Sequence, residues 1–202
     1  MNIYFIRHGE DDEKYRGGWS ELPLIQVGID KANKLGKYLK KNMDKYRLEK
    51  IISSDLTRTR MTADIINTYL DLPISIDERL RENNNGELAG MLNSEAIKKY
   101  PNCFFGSLGY DERFPGGESP HEFYDRVKKS FYELIEENNN VKNLMIVTHA
   151  GVISIIYHIV TNLEWTNKEK TLKISKTSIS KLIVDESGNM KFDYINDTPH
   201  LR

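Results

Sequence analysis

The stretch Ile3-Tyr4-Phe5-Ile6-Arg7-His8-Gly9-Glu10 decides the fold predicted for this chain. Its four apolar residues indicate a buried strand, which ends abruptly in a cation, an imidazole and a glycine. Ligand sites in open α/β sheets lie at such carboxyl ends of strands. An arginine can bind two oxygens of a phosphate, and a neutral imidazole can attack phosphorus. Taken alone, the stretch is equally compatible with a strand end that Arg7 and His8 merely cap.

Composition places the 202-residue chain among globular proteins of one domain. Its net charge of −1 provides no bulk field to attract nucleic acid or a membrane surface, so neither is expected as a partner. No apolar run approaches the ~20 residues of a membrane span, and a strand at the N-terminus leaves no room for a signal peptide. The lone Cys103 excludes an intramolecular disulfide and is interpreted as an ordinary, partly buried thiol. These features predict a cytoplasmic protein.

Helix and strand patterns alternate along the chain. The predicted helices are 26–43, 57–70, 120–137 and 151–160, and the predicted strands are 3–6, 50–53, 73–76, 144–148, 178–184 and 190–194. This alternation predicts an α/β fold of three layers, α/β/α, with a mainly parallel central sheet. The hairpin formed by the last two strands predicts an antiparallel edge.

Residues 88–115 follow neither pattern and are rich in glycine and aromatic residues. A long irregular stretch in a compact domain is often a lid or binding loop. A small satellite core beneath a surface excursion is the alternative, and the sequence leaves both open. We therefore expect a single domain, 1–202, with a lid or insertion around 88–118.

The second segment of interest, residues 53–63, follows a predicted strand and opens a helix. Ser54 or Asp55 is suited to cap this helix. The N-terminus of a helix favours an anion, and Arg58 lies in the first turn, so a phosphate there would meet a helix dipole and a guanidinium together. The alternative is that Arg58 and Arg60 are ordinary solvated helix residues.

The third and fourth segments add a carboxylate and a second imidazole. Glu82 lies in a polar, glycine-bearing loop, where a general acid could deliver a proton to a leaving alkoxide; a surface or ion-paired carboxylate is the alternative. His149 follows the apolar strand 144–148 and precedes small residues and a helix, which repeats the arrangement at His8. Beside a phosphate, His149 would supply an N–H donor. Chance does not readily produce all four segments in this order.

With these segments the chain resembles the histidine phosphatase superfamily, which has the phosphoglycerate-mutase-like fold. The matches extend over nearly the whole chain and are Arg7-His8-Gly9-Glu10, Pro23-Leu24 with Gly28 and Leu35-Gly36, Ser54-Asp55-Leu56-x-Arg58 with Thr62-Ala63, Leu80-x-Glu82 with Gly86 and Gly90, Pro115-Gly116-Gly117-Glu118-Ser119 with Phe123 and Arg126, and Thr148-His149-Ala150-Gly151-Val152-Ile153. The resemblance implies His8 as the nucleophile that becomes a phosphohistidine and Glu82 as the proton donor. It also implies that Arg7, Arg58 and the catalytic His149 complete the phosphate pocket.

The chain departs from the family pattern directly after the first motif. Asp11 stands where the family commonly has Thr, and Asp12 and Glu13 follow it. The Asn that often contacts the phosphoryl group has no clear match. Three carboxylates would repel a second phosphate unless a cation such as Arg16 offsets them, so the substrate is left open while the reaction class is not.

The sequence thus predicts a phosphomonoesterase that hydrolyses a small phosphorylated metabolite through a phosphohistidine on His8, without a metal or other cofactor. A phosphoglycerate-mutase-type phosphoryl transfer and a non-catalytic phosphate-binding scaffold are the alternatives, and a homodimer is left open. A further alternative is a hydrolytic metal site built from His8, His149 and Asp11 or Asp12. The two arginines of the predicted pocket disfavour it, because they would repel a cation.

Overall fold

A computed structural model describes residues 1–169 and 172–202. Its strands are β1 (Asn2–Arg7), β2 (Lys50–Ser53), β3 (Ile74–Ile76), β4 (Asn143–Thr148), β5 (Ile179–Val184) and β6 (Met190–Asp197). They form one sheet in the order β3-β2-β4-β1-β5-β6. The first four strands pair in parallel, whereas β5 runs antiparallel to both β1 and β6. The predicted mainly parallel sheet with an antiparallel edge is confirmed.

The helices are α1 (Gln26–Lys41), α2 (Met43–Tyr46), α3 (Thr57–Leu70), α4 (Asn93–Lys99), α5 (Pro120–Glu137) and α6 (Ala150–Thr161). The predicted helix 26–43 is wrong at its end, because the chain leaves the helix at Asn42 and Met43 is 54% exposed rather than inward. At Asn42 the backbone departs from helical geometry, with φ of −113° and ψ of 28°, and both the amide and the side chain of Asn42 donate to the Tyr38 carbonyl. Within the described residues, no helix is long and apolar enough to span a membrane.

The apolar residues of β1 contribute side chains to two hydrophobic cores, one on each face of the sheet. Ile3 and Phe5 pack on the side of α5 and α6, whereas Tyr4 and Ile6 pack on the side of α1 and α3. Successive side chains of a strand point to opposite faces, so a sheet covered by helices on both sides requires a continuous apolar run. This burial confirms the predicted three layers.

The sheet order brings the motif-bearing strand ends together. β4 lies between β1 and β2, and all three run in parallel. The His8 amide donates to the Thr148 carbonyl at 3.0 Å, and the Ser54 amide donates to the Val147 carbonyl at 3.0 Å. The first, second and fourth sequence segments therefore meet at the carboxyl ends of these three central strands.

Residues 88–118 are not wholly irregular, because they contain α4 and a small core of their own. That core consists of Leu88, Ala96, Leu108 and Phe114. Cys103 packs against it, and burial raises the pKa of its thiol, in keeping with the structural role expected for this cysteine. The satellite-core interpretation therefore describes this segment, whereas its movement as a lid stays a prediction.

Candidate active site

His8 is buried at the end of β1, with an exposed fraction of 4%. Its Nδ1 lies 2.7 Å from the Gly9 carbonyl oxygen. A carbonyl can only accept, so we assign the ring proton to Nδ1 and the lone pair to Nε2, which accepts from Arg58 Nε at 3.3 Å. Burial, together with the charges of Lys176 and Arg58, holds the pKa of His8 well below its ordinary value. A neutral imidazole with a lone pair on Nε2 is suited to nucleophilic attack.

Arg58, the second residue of α3, is only 2% exposed. Its Nη1 donates to the Ser20 carbonyl at 2.9 Å, and its Nη2 donates to the Gly18 carbonyl at 2.6 Å. These carbonyls belong to the loop that follows the first motif, so that loop and α3 together fix the guanidinium beside His8. A cation held in place before the reaction begins stabilises developing charge without reorganisation. Arg60, by contrast, is exposed.

The predicted cap of α3 is wrong. Leu56 occupies the N-cap position, and the amide of Thr57 donates instead to the Glu21 carboxylate at 3.1 Å. The Asp55 carboxylate instead accepts from Nε of Arg81 at 2.8 Å. A charge-assisted bond to a guanidinium is stronger than a capping bond to a neutral amide, which accounts for the difference. Ser54 serves the site in another way, through its hydroxyl contact with His149.

His149 is fully buried, with its ring centre 5.1 Å from that of His8. Its Nδ1 lies 3.2 Å from Arg58 Nη2, a donor, and its Nε2 lies 3.0 Å from the Ser54 hydroxyl. We therefore assign the ring proton to Nε2. Burial and the charge of Arg58 hold the pKa of His149 well below its ordinary value, so the ring is neutral and orients Arg58. Its donation to a phosphate stays a prediction.

Glu82 lies against the N-terminus of α6. Its Oε2 accepts from the Gly151 amide at 3.1 Å, and its Oε1 accepts from the Asn83 amide at 3.1 Å. A Cβ on residue 151 would lie 2.2 Å from Glu82 Oε1, so only glycine allows this approach. The glycine that follows His149 in the fourth segment thus makes room for the carboxylate of the third.

The loop that carries Glu82 is held by residues to which the sequence alone assigned no role. Trp19 Nε1 donates to the Glu82 carbonyl at 2.7 Å, and Arg126 Nη2 donates to the same oxygen at 3.1 Å. Glu118 pairs with Arg126 at 2.7 Å and also accepts from the Asn84 amide at 2.7 Å. In the sequence, the only indication of these contacts was the motif match at Pro115–Ser119 and Arg126. In the structure, residues of that motif hold the Glu82 loop in place.

Two cavities meet at the site. The first cavity has a volume of 310 Å³ and includes Arg7 and His8 of the first motif in its wall. The other residues of its lining include Asp11, Arg16, Arg58, Glu82 and Lys176. The second, of 660 Å³, is partly aromatic, and its lining includes Phe104, Phe105, Phe123 and Trp165. Arg7 and Glu82 line both cavities. Glu82 therefore stands where the first cavity, here called the phosphate cavity, joins the second, here called the aromatic cavity.

The carboxylates after the first motif are balanced differently from the expectation. Asp11 pairs with Lys176 at 2.5 Å and lies 3.7 Å from Arg58, whereas Arg16 stacks on the Phe104 ring at 4.3 Å. The cation that pairs with Asp11 is therefore Lys176, which no motif singled out. In residues 1–169 and 172–202, no group of three or more His, Cys, Asp or Glu side chains is placed to hold a metal, so the alternative metal site has no ligand cluster.

Comparison with known proteins agrees with this arrangement. The sequence profile of the histidine phosphatase superfamily (branch 1) matches residues 3–198. The broad-specificity phosphatase YOR283W of Saccharomyces cerevisiae is 30% identical over 98% of this chain and 81% of its own length. The phosphoglycerate mutase-like protein 4 of Arabidopsis thaliana is 29% identical over 98% of this chain and 86% of its own. The solved structure of Bacillus stearothermophilus YhfR matches with a TM-score of 0.85 at 25% identity and covers 100% of this chain and 99% of that one. The predicted resemblance, fold and enzyme class are confirmed, and the chain belongs to the histidine phosphatase superfamily.

Proposed function

We propose that this protein hydrolyses the phosphomonoester of a small metabolite through a phosphohistidine formed on Nε2 of His8. The observation that carries the proposal is a neutral, buried imidazole with its lone pair on Nε2, in the wall of a cavity that Arg7 and Arg58 also line. The phosphatase name of the yeast relative supports the reaction class.

The reaction proceeds in two displacements. In the first, His8 Nε2 forms a bond to phosphorus while the bond to the leaving oxygen breaks, and Glu82 gives that oxygen a proton. In the second, water attacks phosphorus, Glu82 takes the proton of that water, and the P–N bond breaks to release inorganic phosphate. Arg7 and Arg58 stabilise the charge on the equatorial oxygens in both steps.

The position of Glu82 between two cavities supports its role as the acid. A phosphoryl group beside His8 would place the leaving oxygen toward the junction that Arg7 and Glu82 form. The leaving group would then occupy the aromatic cavity, whose 660 Å³ falls within the ~300–1,000 Å³ typical of ligand pockets. Leaving groups with apolar surface would bury it against Phe105 and Trp165.

The proposal is tested with a panel of phosphorylated metabolites, scored by released phosphate. Hydrolysis of at least one small phosphomonoester, with the kinetics of a true substrate, is the expected result. Interconversion of 2- and 3-phosphoglycerate is measured in parallel, because relatives carry both phosphatase and mutase-like names. If interconversion is faster than phosphate release from every compound tested, the protein is a mutase rather than a phosphatase.

Arg58 and Arg60 provide a matched comparison within one helix. Arg58→Ala should lower kcat by ~10²–10³-fold, because it removes a preorganised charge from the transition state. Arg60 is exposed, so Arg60→Ala should leave kcat essentially unchanged. Steady-state kinetics on the best substrate of the panel measures both, with thermal unfolding as the control for folding. Equal losses from the two substitutions would show that Arg58 is not the phosphate-binding arginine.

Chelation should leave activity intact. Two arginines and a histidine nucleophile perform the charge stabilisation for which other phosphatases use a divalent ion. The experiment is dialysis against EDTA followed by assay with and without added Mg²⁺ or Zn²⁺. Activity that disappears on chelation and returns with the metal would contradict the proposed mechanism.

A further inference from the structure

Lys176 lies beside the first motif although the two are far apart in the sequence. The amide of Thr177, the next residue, donates to the Arg7 carbonyl at 3.0 Å and so fastens this segment to the end of β1. Lys176 lines the phosphate cavity together with His8, and its side chain is only 11% exposed. Lysine is rarely buried to this extent, since its ammonium group loses hydration. Burial and the nearby charge of Arg7 accordingly lower its pKa.

The backbone next to Lys176 is strained. Thr177 has a φ of 58°, in the left-handed region that a β-branched residue seldom adopts. Its hydroxyl donates to the Lys176 carbonyl at 2.7 Å and lies 2.9 Å from Nε2 of His200, in the 3₁₀ turn Pro199–Leu201. Strain of this kind costs roughly 1–3 kcal/mol and persists only where the surrounding structure imposes it, commonly at functional sites. Here it accompanies the turn that brings Lys176 to the cavity.

Asp11 links Lys176 to the rest of the site. Its two oxygens face two cations, with Oδ1 at 2.5 Å from Lys176 Nζ and Oδ2 at 3.7 Å from Arg58 Nε. The carboxylate, 10% exposed, thereby balances two buried positive charges. A phosphate dianion entering the cavity would seek the same two cations. Asp11 and the phosphoryl group are therefore competitors for Lys176.

We propose that Lys176 is a phosphate-binding residue whose ammonium donates to a non-bridging oxygen of the substrate's phosphoryl group, with Asp11 as the counter-ion that this oxygen displaces. The identity of the ligand as a phosphoryl group rests on the proposed function, whereas the anion site itself does not. The arrangement adds Lys176 to the two arginines, Arg7 and Arg58, that line the cavity with His8. Asp11 sets how tightly that wall retains the phosphate product.

Three substitutions separate this role from a structural one. Lys176→Met keeps an unbranched side chain one atom shorter and removes the charge, Lys176→Arg keeps the charge, and Asp11→Asn removes the competing carboxylate. Lys181→Met is the matched control, since Lys181 forms a comparable ion pair with Asp193, at 3.0 Å, on the β5–β6 hairpin and outside both cavities. Titration calorimetry with inorganic phosphate measures binding without turnover, and p-nitrophenyl phosphate kinetics measures kcat and KM.

Lys176→Met should weaken phosphate binding by ~10- to 100-fold, the usual contribution of a charge-assisted hydrogen bond. Lys176→Arg should recover most of that loss, Lys181→Met should show none, and Asp11→Asn should bind phosphate more tightly than the wild type. Unchanged phosphate affinity in a folded Lys176→Met protein would overturn the proposal. Should Lys176→Met fail to fold, Asp11→Asn decides the question, because weaker or equal phosphate binding in that variant would show that the pair is only structural.

These outcomes are independent of the proposed hydrolysis. If the wild type binds phosphate in a Lys176-dependent manner but releases phosphate from no ester, the proposed function fails and the anion site stands. If hydrolysis is found and Lys176→Met neither weakens phosphate binding nor changes kcat or KM, the proposed function stands and the role of Lys176 fails.

Discussion

His8→Ala is expected to lower kcat/KM by on the order of 10⁴–10⁶-fold, the loss that follows removal of a covalent nucleophile. Among the residues that the structure describes, no other imidazole lines the phosphate cavity, so none is placed to substitute for His8. The substitution should leave the fold intact, since a smaller side chain at the strand end keeps the His8 amide bond to Thr148. Steady-state assays on the best substrate, with thermal unfolding as a check, measure the effect.

The same prediction has a covalent readout. Wild-type protein that is mixed with labelled substrate and quenched rapidly should carry acid-labile, alkali-stable label on the peptide that contains His8. His121→Ala is the control, because His121 is exposed and pairs with Asp111 and Asp125 rather than lining the phosphate cavity. That variant should retain both label and activity. Label on another peptide, or none under rapid quench, would exclude the covalent mechanism.

Local sequence signals fix the ends of some helices. α5 begins at Pro120 as predicted because Ser119 and Glu122 form a reciprocal capping box around a proline at the first helical position. The end of α1 at Asn42 does not follow from the sequence pattern, because the apolar spacing continues across it to Met43. α4 was missed because it is a short helix within a glycine-rich stretch, where periodicity carries little signal.

For the candidate site, the sequence motifs identify the functional side chains but not the residues that hold them in position. The sequence placed Arg58 in the first turn of a helix, and the structure adds that Gly18, Ser20 and His149 hold it beside His8. Lys176 could not be found in this way, because it belongs to no motif. It reaches the first motif only because β5 pairs antiparallel with β1, a long-range contact that no local pattern encodes.

Glu82→Gln should depress turnover of alkyl phosphates far more than turnover of p-nitrophenyl phosphate. An alkoxide cannot leave readily without a proton, whereas p-nitrophenolate is stable enough to leave unaided. General acid assistance contributes typically ~10²–10⁴-fold, so a loss of that size is expected for alkyl substrates alone. Gln retains one oxygen, which can still accept from the Gly151 amide, and gives up only the bond that the second Glu82 oxygen accepts from the Asn83 amide.

A carboxylate that lines neither cavity, Glu87, supplies the control for this last prediction. Glu10 pairs with Lys31, and the exposed Glu87 bonds to Tyr100, so Glu87→Gln should change neither substrate's rate. The comparison requires single-turnover measurement of the phosphorylation step. In the proposed mechanism Glu82 is also the base of the second displacement, where its loss would slow both substrates and mask the difference. Equal losses on alkyl and aryl phosphates in the first step would mean that Glu82 positions the phosphate or the loop, and the proton donor would then be sought first at Asp12 and Glu13, which line the phosphate cavity.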